Sequence, residues 1–273
     1  MSNLKKLRKI YRFFFPDNRP PEEKFKGFLE KNSEIATFNY ENNIYDIITK
    51  HGIKLKVRDH LHSDYSVFRQ IFNFEEFGIV STLINLNFSN SERLIVIDSG
   101  ANVGYTTLYL NKHINSKKMY TYAVEPSPEN VNIFRTNVFE LNNLTNVKIY
   151  SKALSHKKGV NYNISNGFRD GKDWSIETIE NSKGEIEGIT IDEIIQENHI
   201  EVISLLKIDI EGAERFIFNK ENDTSFLNKT KILAIEIHDE YDIRESIYDI
   251  LKSYGFFLLE SGELTIGLNK AYI

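Results

Sequence analysis

From residue 52 to its end, the chain alternates short apolar runs with stretches of helical periodicity, and this alternation restricts its fold more than any other feature. Buried strands are predicted at "RLIVID", "MYTYAVE", "NVKIYSKAL", "ISLLKIDI" and "KILAIEIH". Helices are predicted between most of them, one of them capped by Ser127 with Pro128 in its first turn. Such an alternation favours a mostly parallel sheet with helices on both faces, because each crossover places a helix on one face. The sequence therefore predicts a doubly wound α/β fold.

The first 50 residues follow a different pattern. Apolar side chains recur at helical spacing with lysine and arginine between them, and "PDNRPP" then breaks the segment. We predict a helical extension over residues 1–50, followed by one domain over residues 51–273. The extension is interpreted as a helix that packs on its own domain, contacts a membrane surface or joins two copies of the chain in a homo-oligomer.

Charge and composition argue against several classes of partner. The 273 residues carry a formal net charge of −5, whereas a surface that binds nucleic acid has a basic excess. The chain contains no cysteine, which excludes disulfides, zinc–thiolate sites and a thiol nucleophile. No apolar run approaches the roughly 18 residues of a membrane-spanning helix. We therefore expect a cytoplasmic protein that does not bind nucleic acid.

A glycine turn and an acid mark a predicted ligand site at the carboxyl ends of the strands. Gly100 and Gly104 follow the first buried strand in "IDSGANVGYTTL", and Asp98 comes just before them. Their spacing is G-x-x-x-G, not the G-x-G-x-x-G that binds a dinucleotide pyrophosphate. Glu125 ends the second strand, where a carboxylate accepts hydrogen bonds from two ribose hydroxyls. The alternative for Glu125 is a solvated acid or a charge at a helix N-terminus.

These stretches resemble a known enzyme family. "VIDSGANVGYTTL", "AVEPSPENVNIFRTNV", "SKALSHKKG", "ITIDEII" and "LLKIDIEGAE", in this order, are similar to class I S-adenosylmethionine-dependent methyltransferases, and more narrowly to the FkbM-type family. The resemblance covers about residues 60 to 240. It implies a Rossmann-like, seven-stranded sheet with the last strand antiparallel, and S-adenosyl-L-methionine as the methyl donor.

The resemblance also implies roles for individual residues. Asp98 would reach the donor's amino group, Glu125 would hold the ribose, and Ala153 and Leu154 would contact adenine. The remaining residues assigned to the donor follow the first and second strands: Gly100, Ala101, Asn102, Gly104, Pro126 and Ser127.

Charges interrupt the fourth and fifth predicted strands, in "LLKIDIE" and "LAIEIHD". If these strands are neighbours in register, Lys207 lies near Glu236, and Asp209 lies near His238. We predict that His238 is the general base for an acceptor hydroxyl and that Asp209 orients its ring. Two alternatives remain: a divalent metal bound by Asp209, Glu236 and His238, or a histidine with a structural role only.

The acceptor is expected to be a hydroxylated small molecule. FkbM-type resemblance implies O-methylation of a sugar or another hydroxylated natural product, and we favour a sugar nucleotide or glycan in bacterial surface-polysaccharide biosynthesis. The predicted acceptor-binding residues are Phe168, Arg169, Trp174, Glu211 and Glu236. Two rival functions are an NAD-dependent oxidoreductase on a similar sheet and a non-catalytic interaction module that retains the fold.

Overall fold

The computed structural model describes residues 18–116, 118–165 and 177–272. The helices are α1 (Pro21–Leu29), α2 (Asp64–Phe72), α3 (Gly78–Asn87), α4 (Tyr105–His113), α5 (Pro128–Arg135), α6 (Ile191–Glu197), α7 (Glu214–Ile217) and α8 (Arg244–Ser253). The strands are β1 (Ile35–Glu41), β2 (Ile44–Thr49), β3 (Lys54–Arg58), β4 (Leu94–Ser99), β5 (Met119–Val124), β6 (Val147–Tyr150), β7 (Ala153–Leu154), β8 (Asn161–Ser165), β9 (Glu177–Glu180), β10 (Ile186–Ile189), β11 (Ile203–Ile208), β12 (Thr230–Glu236), β13 (Phe256–Ser261) and β14 (Leu264–Asn269). Within the described ranges, no helix has both the length and the apolar character that crossing a bilayer requires.

A seven-stranded sheet forms the centre of the fold. Its strand order is β13-β14-β12-β11-β4-β5-β6, and only β14 runs antiparallel to its neighbours. The predicted α/β class, the seven strands and the antiparallel last strand are therefore confirmed. The chain leaves β4 in one direction towards β5 and returns to β11 on its other side. Ligands bind at such a switch point, beyond the carboxyl ends of the strands.

Both faces of this sheet are buried, which explains why its strands read as continuous apolar runs. Alternate residues of one strand belong to different hydrophobic clusters. Val96 and Leu205 lie in the cluster on one face, whereas Ile97 and Leu206 lie in the cluster on the other face. The period-2 geometry of a strand produces this division.

The N-terminal part of the described chain is not purely helical. After α1, the strands β1, β2 and β3 form an antiparallel sheet. The ring of Phe25 in α1 stacks on Tyr65 in α2 with centroids 4.0 Å apart, and both pack in the same cluster as the central core. The predicted boundary at residue 50 thus falls between two paired strands. The apolar pattern of residues 4–14 lies outside the described residues.

The apolar spacing of "SDYSVFRQIFNFEEFGIVSTLI", residues 63–84, predicts one helix, but the structure forms two helices, α2 and α3. Glu75 adopts a left-handed conformation with φ +50° between α2 and α3. A residue in this conformation ends a helix by satisfying its last carbonyls, and the amide of Glu76 accordingly donates to Gln70 O at 3.2 Å. The break brings Glu76 and Phe77 to the wall of the cavity described below.

Candidate active site

A cavity of about 180 Å³ opens at the switch point of the sheet. One wall follows the carboxyl ends of β4, β5, β11 and β12, and the opposite wall comes from α2 and the turn before α3. Its lining residues are Val67, Gln70, Ile71, Glu76, Phe77, Gly100, Ala101, Asn102, Tyr105, Thr106, Val124, Glu125, Pro126, Ala153, Leu154, Thr178, Lys207, Asp209, Ile210, Glu211, Glu236 and Glu263.

The first glycine of the turn is required by a close approach between two strand ends. Gly100 has φ +77°, and a Cβ built on it would lie 1.7 Å from the backbone oxygen of Asp209. The amide of Asp209 in turn donates to Ser99 O at 3.1 Å. Any larger residue would push β4 away from β11, so the glycine keeps the turn against the strand that carries the charges.

Lys207 holds the same turn through hydrogen bonds to its backbone. Its ammonium donates to Gly100 O at 2.7 Å and to Ser99 O at 3.2 Å. It also lies 3.3 Å from Asp98 Oδ1 and 3.7 Å from Asp209 Oδ2. Burial alone would lower the pKa of Lys207, but the carboxylates of Asp98 and Asp209 outweigh this effect and raise that pKa. The lysine is therefore a buried cation that joins β4 to β11.

Glu125 faces the cavity at the end of β5. Its Oε2 accepts from the Asn102 amide at 2.9 Å, and its Oε1 accepts from the Ser127 amide at 3.0 Å and from Asn130 Nδ2 at 3.3 Å. Burial raises its pKa despite these hydrogen bonds. A carboxylate has about four lone-pair sites, so one acceptor site remains for a ligand.

Most residues assigned to the donor line this cavity, but three do not. Asp98 is fully buried and accepts from Thr107 Oγ1 at 2.7 Å. Gly104 packs towards Phe134 and Val138, which a Cβ would meet at 3.0 and 2.8 Å. The Ser127 hydroxyl caps α5 by accepting from the Asn130 amide at 3.3 Å, as predicted for a cap. The structure thus gives these three residues local partners in the protein.

Asp209 lies near His238 as predicted, with ligand atoms of the two side chains within 4.8 Å of each other, but the predicted pairing of Lys207 with Glu236 is wrong by two residues. The register of β11 and β12 sets Lys207 opposite Ala234, not opposite Glu236. On its other side Lys207 lies opposite Asp98 of β4, and this neighbour supplies its counter-ion. Side-chain alternation predicts which face of the sheet each charge occupies, but it does not predict the register between neighbouring strands.

His238 lies beneath the cavity and is only 1% exposed. Its Nδ1 is 3.2 Å from Glu214 Oε2, so Glu214, and not Asp209, orients the ring. Its Nε2 lies 3.3 Å from Glu211 Oε2 without the alignment of a hydrogen bond. Burial alone would lower the pKa of His238, but the carboxylates of Glu211 and Glu214 outweigh it and raise that pKa to about 11. A ring that keeps its proton at neutral pH is not the free base that the sequence suggested.

Carboxylates dominate the cavity around the strand ends. Burial and the neighbouring Asp209 raise the pKa of Glu236 well above its usual value. Burial, Asp209 and Glu263 raise the pKa of Glu76 to about 7, although Lys207 opposes this shift. A carboxyl group of this kind changes charge near neutral pH.

The predicted acceptor residues divide into two groups. Glu211 and Glu236 line the cavity, whereas Phe168, Arg169 and Trp174 lie outside the described residues. Sequence reasoning gave no ligand-site role to Glu76, Glu214 or Glu263. Glu214 had one available signal, since it lies in a charged run directly after a buried strand. Glu76 lies within a helical pattern and Glu263 in a turn, and neither position marks a ligand site in the sequence.

Comparisons with known proteins give one family. A family model described as the methyltransferase FkbM domain matches residues 98–258. No curated protein gives a significant match.

Solved structures that are similar to this chain include the following three. Methyltransferase FkbM from Methylobacillus flagellatus is 17% identical, with a TM-score of 0.38 over 66% of this chain and 44% of that chain. Precorrin-6y C5,15-methyltransferase from Geobacter metallireducens is 10% identical, with a TM-score of 0.40 over 70% and 88% of the two chains. Aeropyrum pernix fibrillarin with natively bound S-adenosyl-L-methionine is 10% identical, with a TM-score of 0.37 over 86% and 98%.

Proposed function

Because the chain belongs to the FkbM methyltransferase family, we propose that it transfers a methyl group from S-adenosyl-L-methionine to a hydroxyl of a sugar. One observation carries this proposal. A single cavity at the switch point joins a glycine turn and a second-strand acid on one side to a group of carboxylates on the other. The first side suits a nucleoside, and the second suits hydroxyl groups and their protons.

The residues present fit the methyl donor. Asn102 lines the cavity, and its buried Oδ1 has no hydrogen-bond partner among the described residues. Glu125 retains an acceptor site, and Ala153 and Leu154 offer an apolar surface for adenine. When bound, the donor supplies a methyl group on a positively charged sulfur. An oxygen nucleophile attacks the methyl carbon in line, and the sulfur is the leaving group.

Glu76 is the carboxylate best suited to take the acceptor's proton. It lies on the wall opposite the strand ends, next to the cavity space that Asp209 and Glu263 also line. Its pKa of about 7 makes it a base strong enough to accept a proton and yet ionised at physiological pH. Asp209 and Glu236, at the strand ends, would hold neighbouring hydroxyls through hydrogen bonds.

A sugar is the acceptor class that these groups favour. Sugars present several adjacent hydroxyls, and the cavity presents several adjacent carboxylates that accept from them. A sugar nucleotide or glycan of a surface-polysaccharide pathway is our first candidate, in keeping with the cytoplasmic location expected from the sequence. Arg169 and Trp174 are proposed to contact its phosphate and base, respectively.

A transfer assay with labelled donor tests the acceptor class. We expect methylation of sugar nucleotides or glycans in a panel that also contains free sugars, lipid-linked glycans, RNA and small phenols. The Arg169→Ala and Trp174→Ala variants should raise KM with little change in kcat, because they remove binding contacts only. Turnover on RNA or phenols alone would reject a sugar acceptor, and absence of any turnover despite donor binding would favour the non-catalytic alternative.

A further inference from the structure

We propose that Asp209, Glu211 and His238 bind one divalent transition-metal cation of the Mn²⁺ type, which coordinates the acceptor hydroxyl. This inference rests on the proposed function, because it assigns the cation to the same cavity and the same acceptor. It replaces a base role for His238 with a ligand role, in which the cation takes the place of the proton on Nε2.

The three side chains already lie at the spacing of a ligand set. Each offers one ligand atom, and these atoms all lie within 4.8 Å of one another. Ligands in adjacent positions around an ion at about 2.1 Å are roughly 3 Å apart. The separation of 3.3 Å between His238 Nε2 and Glu211 Oε2 matches this spacing. Asp209, with a side chain 32% exposed, has room to close the remaining distance.

The buried imidazole provides the second, independent observation. The side chain of His238 is fully buried, and its Nδ1 is fixed by Glu214, whose side chain is also fully buried. Its Nε2 points into the cluster and makes no hydrogen bond to any described residue. A carboxylate that holds one imidazole nitrogen while the other faces outward is the arrangement that orients a metal-ligating histidine. A buried ring nitrogen that makes no hydrogen bond is otherwise unfavourable.

The charge around the cluster favours a dication. Glu76, Glu236 and Glu263 line the same cavity as the two carboxylate ligands. Lys207 is the one cationic side chain among the lining residues that the structure describes, and Asp98 and Asp209 already pair with it. Carboxylates that share a site repel one another, and a bound dication relieves this repulsion.

The chemistry of the three ligands also indicates which metal ion binds. Two carboxylates and one imidazole suit Mn²⁺ or Fe²⁺ better than Mg²⁺, which prefers oxygen ligands only. The three protein ligands leave coordination positions open for acceptor oxygens. A coordinated hydroxyl is more acidic, so it loses its proton to Glu76 more readily. In the transfer itself the oxygen–carbon bond forms as the carbon–sulfur bond breaks, and the sulfur keeps the electron pair as a neutral thioether.

Electron paramagnetic resonance of Mn²⁺ tests the site without any activity readout. The full chain is first treated with a chelator and then titrated with Mn²⁺. The bound ion should be missing from the signal of free Mn²⁺, up to one ion per chain. Asp209→Asn and His238→Gln should weaken binding at least tenfold, because each removes one ligand. Glu263→Gln is the matched control, since it removes one cavity carboxylate outside the ligand set and should change affinity less than threefold. Circular dichroism of each variant checks the fold, and Asp209→Asn, partly exposed, keeps the test valid if His238→Gln unfolds.

Two results would overturn the site. Either the wild-type chain binds no Mn²⁺, or Glu263→Gln weakens binding as much as Asp209→Asn does, which would indicate only diffuse attraction to an acidic surface. Titration with S-adenosylhomocysteine in parallel separates the two proposals. If the chain binds S-adenosylhomocysteine but not Mn²⁺, only the metal site is rejected. If it binds neither, the methyltransferase site is rejected as well.

Discussion

Replacing Lys207 by Met should lower the free energy of unfolding by about 3–5 kcal/mol. Lys207 is 3% exposed, and its partner Asp98 is fully buried. The substitution keeps the apolar stem but leaves Asp98 as a buried charge without its counter-ion. It also removes the donor to the carbonyls of Ser99 and Gly100. Thermal unfolding should show a decrease in Tm of roughly 6–20 °C.

Two controls identify the cause of this loss. Lys220→Met removes an exposed lysine and should change stability by less than about 0.5 kcal/mol. Adding Asp98→Asn to Lys207→Met removes the unpaired charge and should recover part of the stability. A Lys207→Met protein that melts within about 2 °C of the wild type would show that the ion pair does not hold β4 to β11.

Replacing Glu76 by Gln should lower kcat by about 10²–10⁴-fold, the usual contribution of a general base. Glutamine keeps the shape and polarity of the side chain but does not accept the proton. Affinity for S-adenosylhomocysteine should stay nearly constant, because the donor is proposed to contact Glu125 and the glycine turn rather than Glu76. Glu75→Gln alters the exposed neighbouring residue and serves as the control. A Glu76→Gln enzyme with normal kcat would remove this residue from the chemistry.

The pH profile gives the same assignment a second test. The pKa of Glu76 is raised to about 7 by burial, by Asp209 on β11 and by Glu263 between β13 and β14, against the lowering effect of Lys207. Below this pH the carboxyl group is protonated and inactive as a base, so kcat/KM of the wild type should rise with pH through about 7. The Glu76→Gln variant should lack this rise.

The residues on the proposed donor side of the cavity could be predicted from the sequence, because each belongs to a short local sequence pattern. Gly100 and Glu125 each follow a recognisable strand, and the parallel topology alone brings such strand ends to one edge. Both residues line the cavity as expected. The family resemblance rested on the same local stretches.

The acceptor side could not be read in the same way, since it depends on contacts between distant segments. The pairing of Lys207 with Asp98 follows from a register that side-chain alternation does not determine. Glu76 reaches the cavity because Glu75 ends α2 in a left-handed conformation within an otherwise helical pattern. Glu214, in α7, orients His238, which follows β12, across 24 positions of the sequence. None of these contacts has a periodic signature.

Calorimetric titration of the full chain with S-adenosylhomocysteine, and separately with NAD, tests the central claim most directly. The methyltransferase assignment predicts binding of one S-adenosylhomocysteine per chain and no binding of NAD, because the turn lacks the glycine spacing for a pyrophosphate. The Glu125→Ala variant should bind S-adenosylhomocysteine more weakly by about 1–3 kcal/mol, the cost of lost hydrogen bonds to a charged acceptor. A folded chain that binds NAD alone, binds neither ligand, or binds S-adenosylhomocysteine equally well without Glu125 would contradict the account.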